Sequence, residues 1–199
     1  GVGGARAGVA VAGTRRAGQG AGVAGGGGLG REGTRGAGRA GARRMVAVEM
    51  RPEKLDIAME FGATHGVLAT GDAPWVEAQE ALGRGADAVF VTVGAAGAYT
   101  TAPNYLASGG KVIMVGMPAT GAASSFEAGN LAAASQAMIG SKMGDVVIQR
   151  DIPWIVDLYR QGRLKLDELI SAHWRLEQIN EAIADTKTGS AKRNVILFK

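Results

Sequence analysis

Gly25-Gly26-Gly27-Gly28-Leu29-Gly30 spells G-x-G-x-x-G, and Glu49 stands 19 positions after Gly30. Those residue types at that spacing suit the cradling of a pyrophosphate-bridged nucleotide. Glycines make a tight turn, let backbone N–H groups approach a pyrophosphate, and let the following helix pack closely on its strand. A carboxylate about 20 residues further on accepts hydrogen bonds from an adenosine ribose. Gly20-Ala21-Gly22-Val23-Ala24-Gly25 fits the same pattern, so the distance to Glu49 and the strands downstream carry more weight than the glycines alone.

Other chemistries have less to work with. The 199 residues include no Cys, which removes disulfides, a thiolate nucleophile and a cysteine zinc site. The two histidines, His65 and His173, have no cysteine or paired acid nearby in sequence, and two isolated imidazoles do not make a zinc site. We therefore expect no catalytic and no metal-ligating residue in this chain.

A phosphate-binding turn has to be delivered by a strand and carried on by a helix. Met45-Val46-Ala47-Val48 is a short apolar run that ends at Glu49. Pro52 then suits a first helical turn, and Leu55, Ile57, Ala58, Met59 and Phe61 give a helical stripe closed by Gly62. Residues 66–69 read as a strand, 75–82 as a helix and 87–94 as a strand apolar enough for burial on both faces. A helix over 98–106 ends at Gly109-Gly110, and 111–116 is the next strand. This rhythm predicts an α/β fold, a doubly wound parallel sheet of the Rossmann type. Past residue 144 the pattern changes to two amphipathic helices, 152–159 and 176–184, and a closing strand, 194–198. The expected division is a dinucleotide-binding domain over 1–144 and a separate segment over 145–199.

The net charge of +4 conceals two different sequences. Residues 1–44 hold eight Arg, one Glu, 17 of the 33 Gly, a single Leu and no aromatic, whereas the remainder is mildly acidic. Buried Val, Ile and Leu are what a first strand and helix need, so this stretch reads as a degraded or poorly ordered first β-α unit. Its arginines also open an alternative, nucleic-acid binding by phosphate neutralisation. Against that stands the lack of aromatics for base stacking. No run of about 18 apolar residues suggests a membrane span. The N-terminus lacks the order of a signal peptide, and a cytoplasmic protein is expected.

Several blocks then resemble one family. Ala47-Val48-Glu49-Met50-Arg51-Pro52-Glu53-Lys54-Leu55, Glu60-Phe61-Gly62-Ala63-Thr64-His65, Gly109-Gly110-Lys111-Val112 and Val115-Gly116-Met117-Pro118 occur in order. Asp151-Ile152-Pro153, Leu158-Tyr159-Arg160-Gln161-Gly162, Glu177-Gln178-Ile179-Asn180-Glu181-Ala182 and Lys192-Arg193-Asn194-Val195-Ile196 follow. Together they resemble the zinc-dependent alcohol dehydrogenases of the medium-chain dehydrogenase/reductase superfamily. The resemblance implies a C-terminal part of such an enzyme, the catalytic N-terminal domain missing and residues 145–199 belonging to that truncated domain. It implies that Gly25, Gly27, Gly28, Leu29 and Gly30 hold the pyrophosphate of NAD, with Glu49 and Lys54 at the adenosine ribose. Val93, Gly94, Val115 and Gly116 would line the nicotinamide side, and Arg193 would reach the phosphates. Lys54 and Arg193 each also read as solvated surface charges. An acid at position 49 implies NAD rather than NADP, because it repels a 2′-phosphate.

In the family, zinc held by the missing domain polarises a small alcohol or aldehyde during hydride transfer, so this chain alone is expected to be inactive. A second alternative is an NADPH-dependent, zinc-independent reductase relative, which Arg51 would suit. Val112–Val115 and Ser124-Ser125-Phe126 resemble dimer-forming strands and imply a homodimer.

Overall fold

Val46 and Val48 point to one side of their strand and Met45 and Ala47 to the other, and all four are buried. Alternation with both faces apolar requires cover above and below the sheet. On one side Met45 and Ala47 pack with Ala58 and Ala63, from helix α1 (Pro52–Glu60) and the turn after it. On the other, Val46 and Val48 join Ala78, Leu82, Val91, Tyr99 and Val112, beneath α2 (Pro74–Leu82) and α3 (Ala96–Thr101).

The computed structural model describes residues 21–23, 42–142, 146–164, 166–188 and 193–198. Residues 25–30 and most of 1–44, including the reading of that stretch as degraded, lie outside them. The chain divides into two compact units, Gly1–Met143 and Gly144–Lys199. Among the described residues no helix is long and apolar enough to cross a membrane.

In the first unit six described strands form one sheet, β1 (Ala21–Val23), β2 (Met45–Glu49), β3 (His65–Leu68), β4 (Ala86–Val91), β5 (Leu106–Met114) and β6 (Ala137–Gly140). Their order is β3-β2-β1-β4-β5-β6 and every pairing is parallel. The chain winds outward from β1 to β3, returns to the middle, and winds outward the other way. This is the doubly wound sheet expected, with its switch point between β1 and β4. Ala21–Val23 forms a strand despite weak propensity because it pairs on both sides, Gly22 with Val46 and with Val89. Tertiary pairing overrides local preference.

Four local expectations need correction. Met59 is exposed, so the stripe of α1 falls on Leu55, Ala58 and Phe61 instead. The helix expected over 98–106 is α3 followed by a 3-10 turn, Ala102–Tyr105. Pro103 has no N–H to continue the i→i−4 ladder, which ends the helix early. The glycines expected to close that helix lie inside β5 at a bulge, where the partners of Ala86 and Ala88 are Leu106 and Lys111. Gly109 has φ +75°, and a Cβ on Gly110 would sit 2.7 Å from the Ala86 carbonyl oxygen. Lastly, β4 stops at Val91 and leaves Val93-Gly94 in a loop.

Helix α4 (Ala128–Ala133) and β6 were not anticipated. Both are short and rich in small residues, so neither has a readable period. Residues 112–114 pair with β4 on one side and β6 on the other, so they offer no free edge to a second copy.

The second unit holds α5 (Ile148–Arg160), two 3-10 turns, Asp167–Leu169 and Leu176–Gln178, and α6 (Ile179–Thr188). Strands β7 (Ala172–Arg175) and β8 (Asn194–Leu197) form a parallel pair. Helix α5 begins four residues earlier than the apolar pattern suggests. The Asp151 carboxylate accepts a hydrogen bond from Val147 N at 2.8 Å and secures that extra turn.

Candidate nucleotide site

Glu49 ends β2 at the C-terminal edge of the sheet, paired in register with Leu68 of β3. Ligands of open α/β sheets collect along this edge, at the switch point. The Glu49 side chain is 1% exposed, and its Oε2 accepts a hydrogen bond from Met50 N at 3.1 Å. A desolvated carboxylate survives only with donors around it. A ribose hydroxyl would reach it by displacing what now covers it. Lys54, in the first turn of α1, is 7% exposed, so it is not the solvated helix lysine of the alternative reading. The sequence thus places a buried acid and a buried base five residues apart at the sheet edge.

Arg51, just before α1, is exposed and its guanidinium pairs with the Glu53 carboxylate. Arg193 is exposed in the second unit, where its backbone N donates to Ser171 Oγ at 3.1 Å.

Val93-Gly94 and Val115-Gly116 follow the C-terminal ends of neighbouring strands β4 and β5. Their backbones cross in direct contact. A Cβ on Gly94 would lie 2.3 Å from the Met117 carbonyl oxygen, and one on Gly116 would lie 2.3 Å from the Val93 carbonyl. Both positions are therefore fixed as glycine by the crossing itself. The Val91 carbonyl accepts from Val115 N at 3.0 Å and from Gly116 N at 2.8 Å. Sequence reasoning overlooked Tyr99, whose hydroxyl donates to the Gly116 carbonyl. The ring is 4% exposed, and burial raises the phenol's pKa above its ordinary value. The signal was available: Tyr99 is the one large side chain in the Ala-Gly-Ala-Tyr-Thr-Thr helix. Beside it lies an apolar cavity of about 320 Å³, walled by Met114, Pro118, Phe126 and Met138.

The zinc question has a chemical answer within this chain. With no Cys, only the two histidines are available as nitrogen ligands. His65 lies on β3, its Nδ1 2.9 Å from Thr64 Oγ1, and His173 lies on β7 in the other unit. No three His, Asp or Glu side chains gather into a ligand set among the described residues. The residues present do not fit a zinc ion.

A parallel sheet in this order, wound outward both ways from β1 and β4, defines the class of doubly wound, Rossmann-type folds. The chain belongs to the zinc-binding dehydrogenase family, whose profile matches residues 28–161. It is 34% identical to a geraniol dehydrogenase of Castellaniella defragrans over 182 residues, 91% of this chain and 48% of that one. Among solved structures, an alcohol dehydrogenase zinc-binding domain protein from Burkholderia ambifaria superposes with a TM-score of 0.86 at 30% identity, covering 93% of this chain and 50% of that one. A zinc-binding dehydrogenase from Sinorhizobium meliloti bound to NADP superposes at 0.71 and 25% identity, covering 85% of this chain and 49% of that one. The chain spans about half the length of the relatives it matches.

Proposed function

We propose that this chain is the NAD(H)-binding half of a zinc-type alcohol dehydrogenase, serving hydride transfer between a small alcohol or aldehyde and nicotinamide in the whole enzyme. The observation that carries the reading is Glu49, a buried acid closing β2 at the C-terminal edge of the sheet, one strand from the switch point. Its carboxylate would take the adenosine ribose hydroxyls, with Lys54 nearby, and would repel a 2′-phosphate. Gly25, Gly27, Gly28, Leu29 and Gly30 would hold the pyrophosphate, and Arg193 would add charge to it. Val93, Gly94, Val115 and Gly116 would carry the nicotinamide end. The zinc donors of the chemistry would come from outside this sequence, so we propose that the chain alone does not turn over alcohol. A cytoplasmic location and self-association into a homodimer belong to the same proposal.

The competing reading is NADP, the cofactor bound in the Sinorhizobium meliloti structure. Arg51 is the cation that would serve it, but its guanidinium is engaged by Glu53.

Titration of the purified chain with NADH and with NADPH, by calorimetry and by energy transfer from its three Trp, decides between the two. NADH should bind in preference, and Glu49→Ala should weaken it about tenfold or more, the worth of a hydrogen bond to a charged group. Tighter binding of NADPH would overturn the choice of cofactor; binding of neither would overturn the reading as a whole.

A further inference from the structure

The crossing of the loops after β4 and β5 is held from one side by a single hydroxyl. Resting on the proposed nucleotide site, we infer that Tyr99 is a positioning residue for the nicotinamide end of the cofactor. Its hydrogen bond to the Gly116 carbonyl fixes the crossed segments Val93-Gly94 and Val115-Gly116.

The last register pair of β4 with β5 is Val91 with Met114, and just beyond it Val115 N and Gly116 N both donate to the Val91 carbonyl. The Gly116 carbonyl, the next acceptor along, is satisfied by Tyr99 rather than by backbone. The same hydroxyl lies 3.4 Å from the Val91 carbonyl, which places it where β4 and β5 part. The helix that carries Tyr99 is tied to the segment that follows as well. Ser124 Oγ donates to the Ala96 carbonyl at 2.9 Å, and Ser125 N donates to Thr100 Oγ1 at 3.3 Å.

Helix α3 thus holds the chain after β5 at Gly116 and again at Ser124 and Ser125. The ring is buried in the main core, so its position is set by packing, and only the oxygen is left to govern the loop. Two glycines admit the close crossing, two backbone bonds to the Val91 carbonyl begin it, and the phenol adds the hold on the Gly116 carbonyl. A cofactor lying over these loops would meet a backbone whose geometry is decided before it arrives, and preorganisation of this kind is realised as affinity.

Tyr99→Phe removes the oxygen and keeps the ring. The test compares NADH with ADP-ribose, which shares the adenosine, pyrophosphate and second ribose but lacks the nicotinamide ring. In the full 199-residue chain, Y99F should weaken NADH about fivefold, as loss of one hydrogen bond's net worth implies, while ADP-ribose binding stays at its wild-type value. Gly116→Ala, which drives a Cβ into the Val93 backbone, should show the same selective loss. Equal weakening of both ligands, no weakening of either, or a Y99F chain without a cooperative melt would each overturn the positioning role. So would a wild-type chain that binds NADH no more tightly than ADP-ribose. A wild-type chain that binds neither ligand would instead overturn the nucleotide reading on which this inference rests.

Discussion

Glu49 and Lys54 are ionisable side chains only 1% and 7% exposed. Burying such groups costs stability unless their partners are good, and functional sites are where such costs are commonly kept. Gly94 and Gly116 follow a different logic, because no other residue fits the space. Gly94→Ala should lower unfolding free energy in urea by about 1–3 kcal/mol, the usual range for overpacking, and a stability equal to wild type would refute the crossing. Tyr105, 8% exposed and edge-on to Trp75, has its pKa pushed up to about 12 by burial and by the nearby Glu77. The unfolded chain's phenol ionises near 10, so above that pH the unfolded state binds fewer protons than the folded one. Stability should therefore fall as pH rises from about 10 to 12, read as a drop in urea midpoint that Tyr105→Phe abolishes.

At the scale of elements, α2 shows how periodicity becomes packing. Ala78 and Leu82 face the core, and Gly83, at φ +77°, closes the helix. Leu82→Ala should cost about 2–4 kcal/mol in the same urea assay. The first turn of α5 depends on Asp151, whose pKa is held below its ordinary value by the side-chain hydrogen bond from Arg150 and then by Val147 N. That support is present at neutral pH and is lost only as pH falls through the depressed value. Protection of the Val147 amide, taken relative to its intrinsic exchange rate at each pH, should therefore fall in strong acid, and at neutral pH in Asp151→Ala. Most of the first unit was legible because Met45–Glu49, Pro52–Glu60 and Pro74–Leu82 combine a clean period with Pro or Gly punctuation. The bulge in β5 was not, since Gly109-Gly110 marks a helix end and a kinked strand with the same letters. The end of β2 at Glu49 was legible from the apolar run before it, whereas Tyr99 stood out only as the one large side chain of its helix, because a hydrogen bond to a carbonyl 17 residues away leaves no local pattern.

For the whole molecule, the sequence reads as two compositions and the structure as two compact units, and the two divisions do not coincide. The basic, glycine-rich block ends near residue 44, whereas the units part at Met143 and Gly144. With the 112–114 ladder occupied on both sides, self-association would have to use other surfaces, among them Ser124-Ser125-Phe126. Light scattering should give a dimer mass at micromolar concentration, and a monomer mass at high concentration would remove that part of the proposal.

The place of β1 has a consequence for how the sheet comes apart. In the described sheet β2 and β4 share no hydrogen bond, and three residues from the least strand-like stretch of the chain stand between them as a keystone. Pairs β2-β3 and β4-β5-β6 each close over short stretches of sequence, but Gly22 must find Val89, 67 positions away. The hydrogen-bonded ladder between the two half-sheets therefore runs through Ala21–Val23, while their side chains share one core. A chain lacking residues 1–24 should unfold at a lower urea midpoint than the intact chain, with the amides of β2 and β4 that face the gap losing protection first; an unchanged midpoint would refute the role of β1.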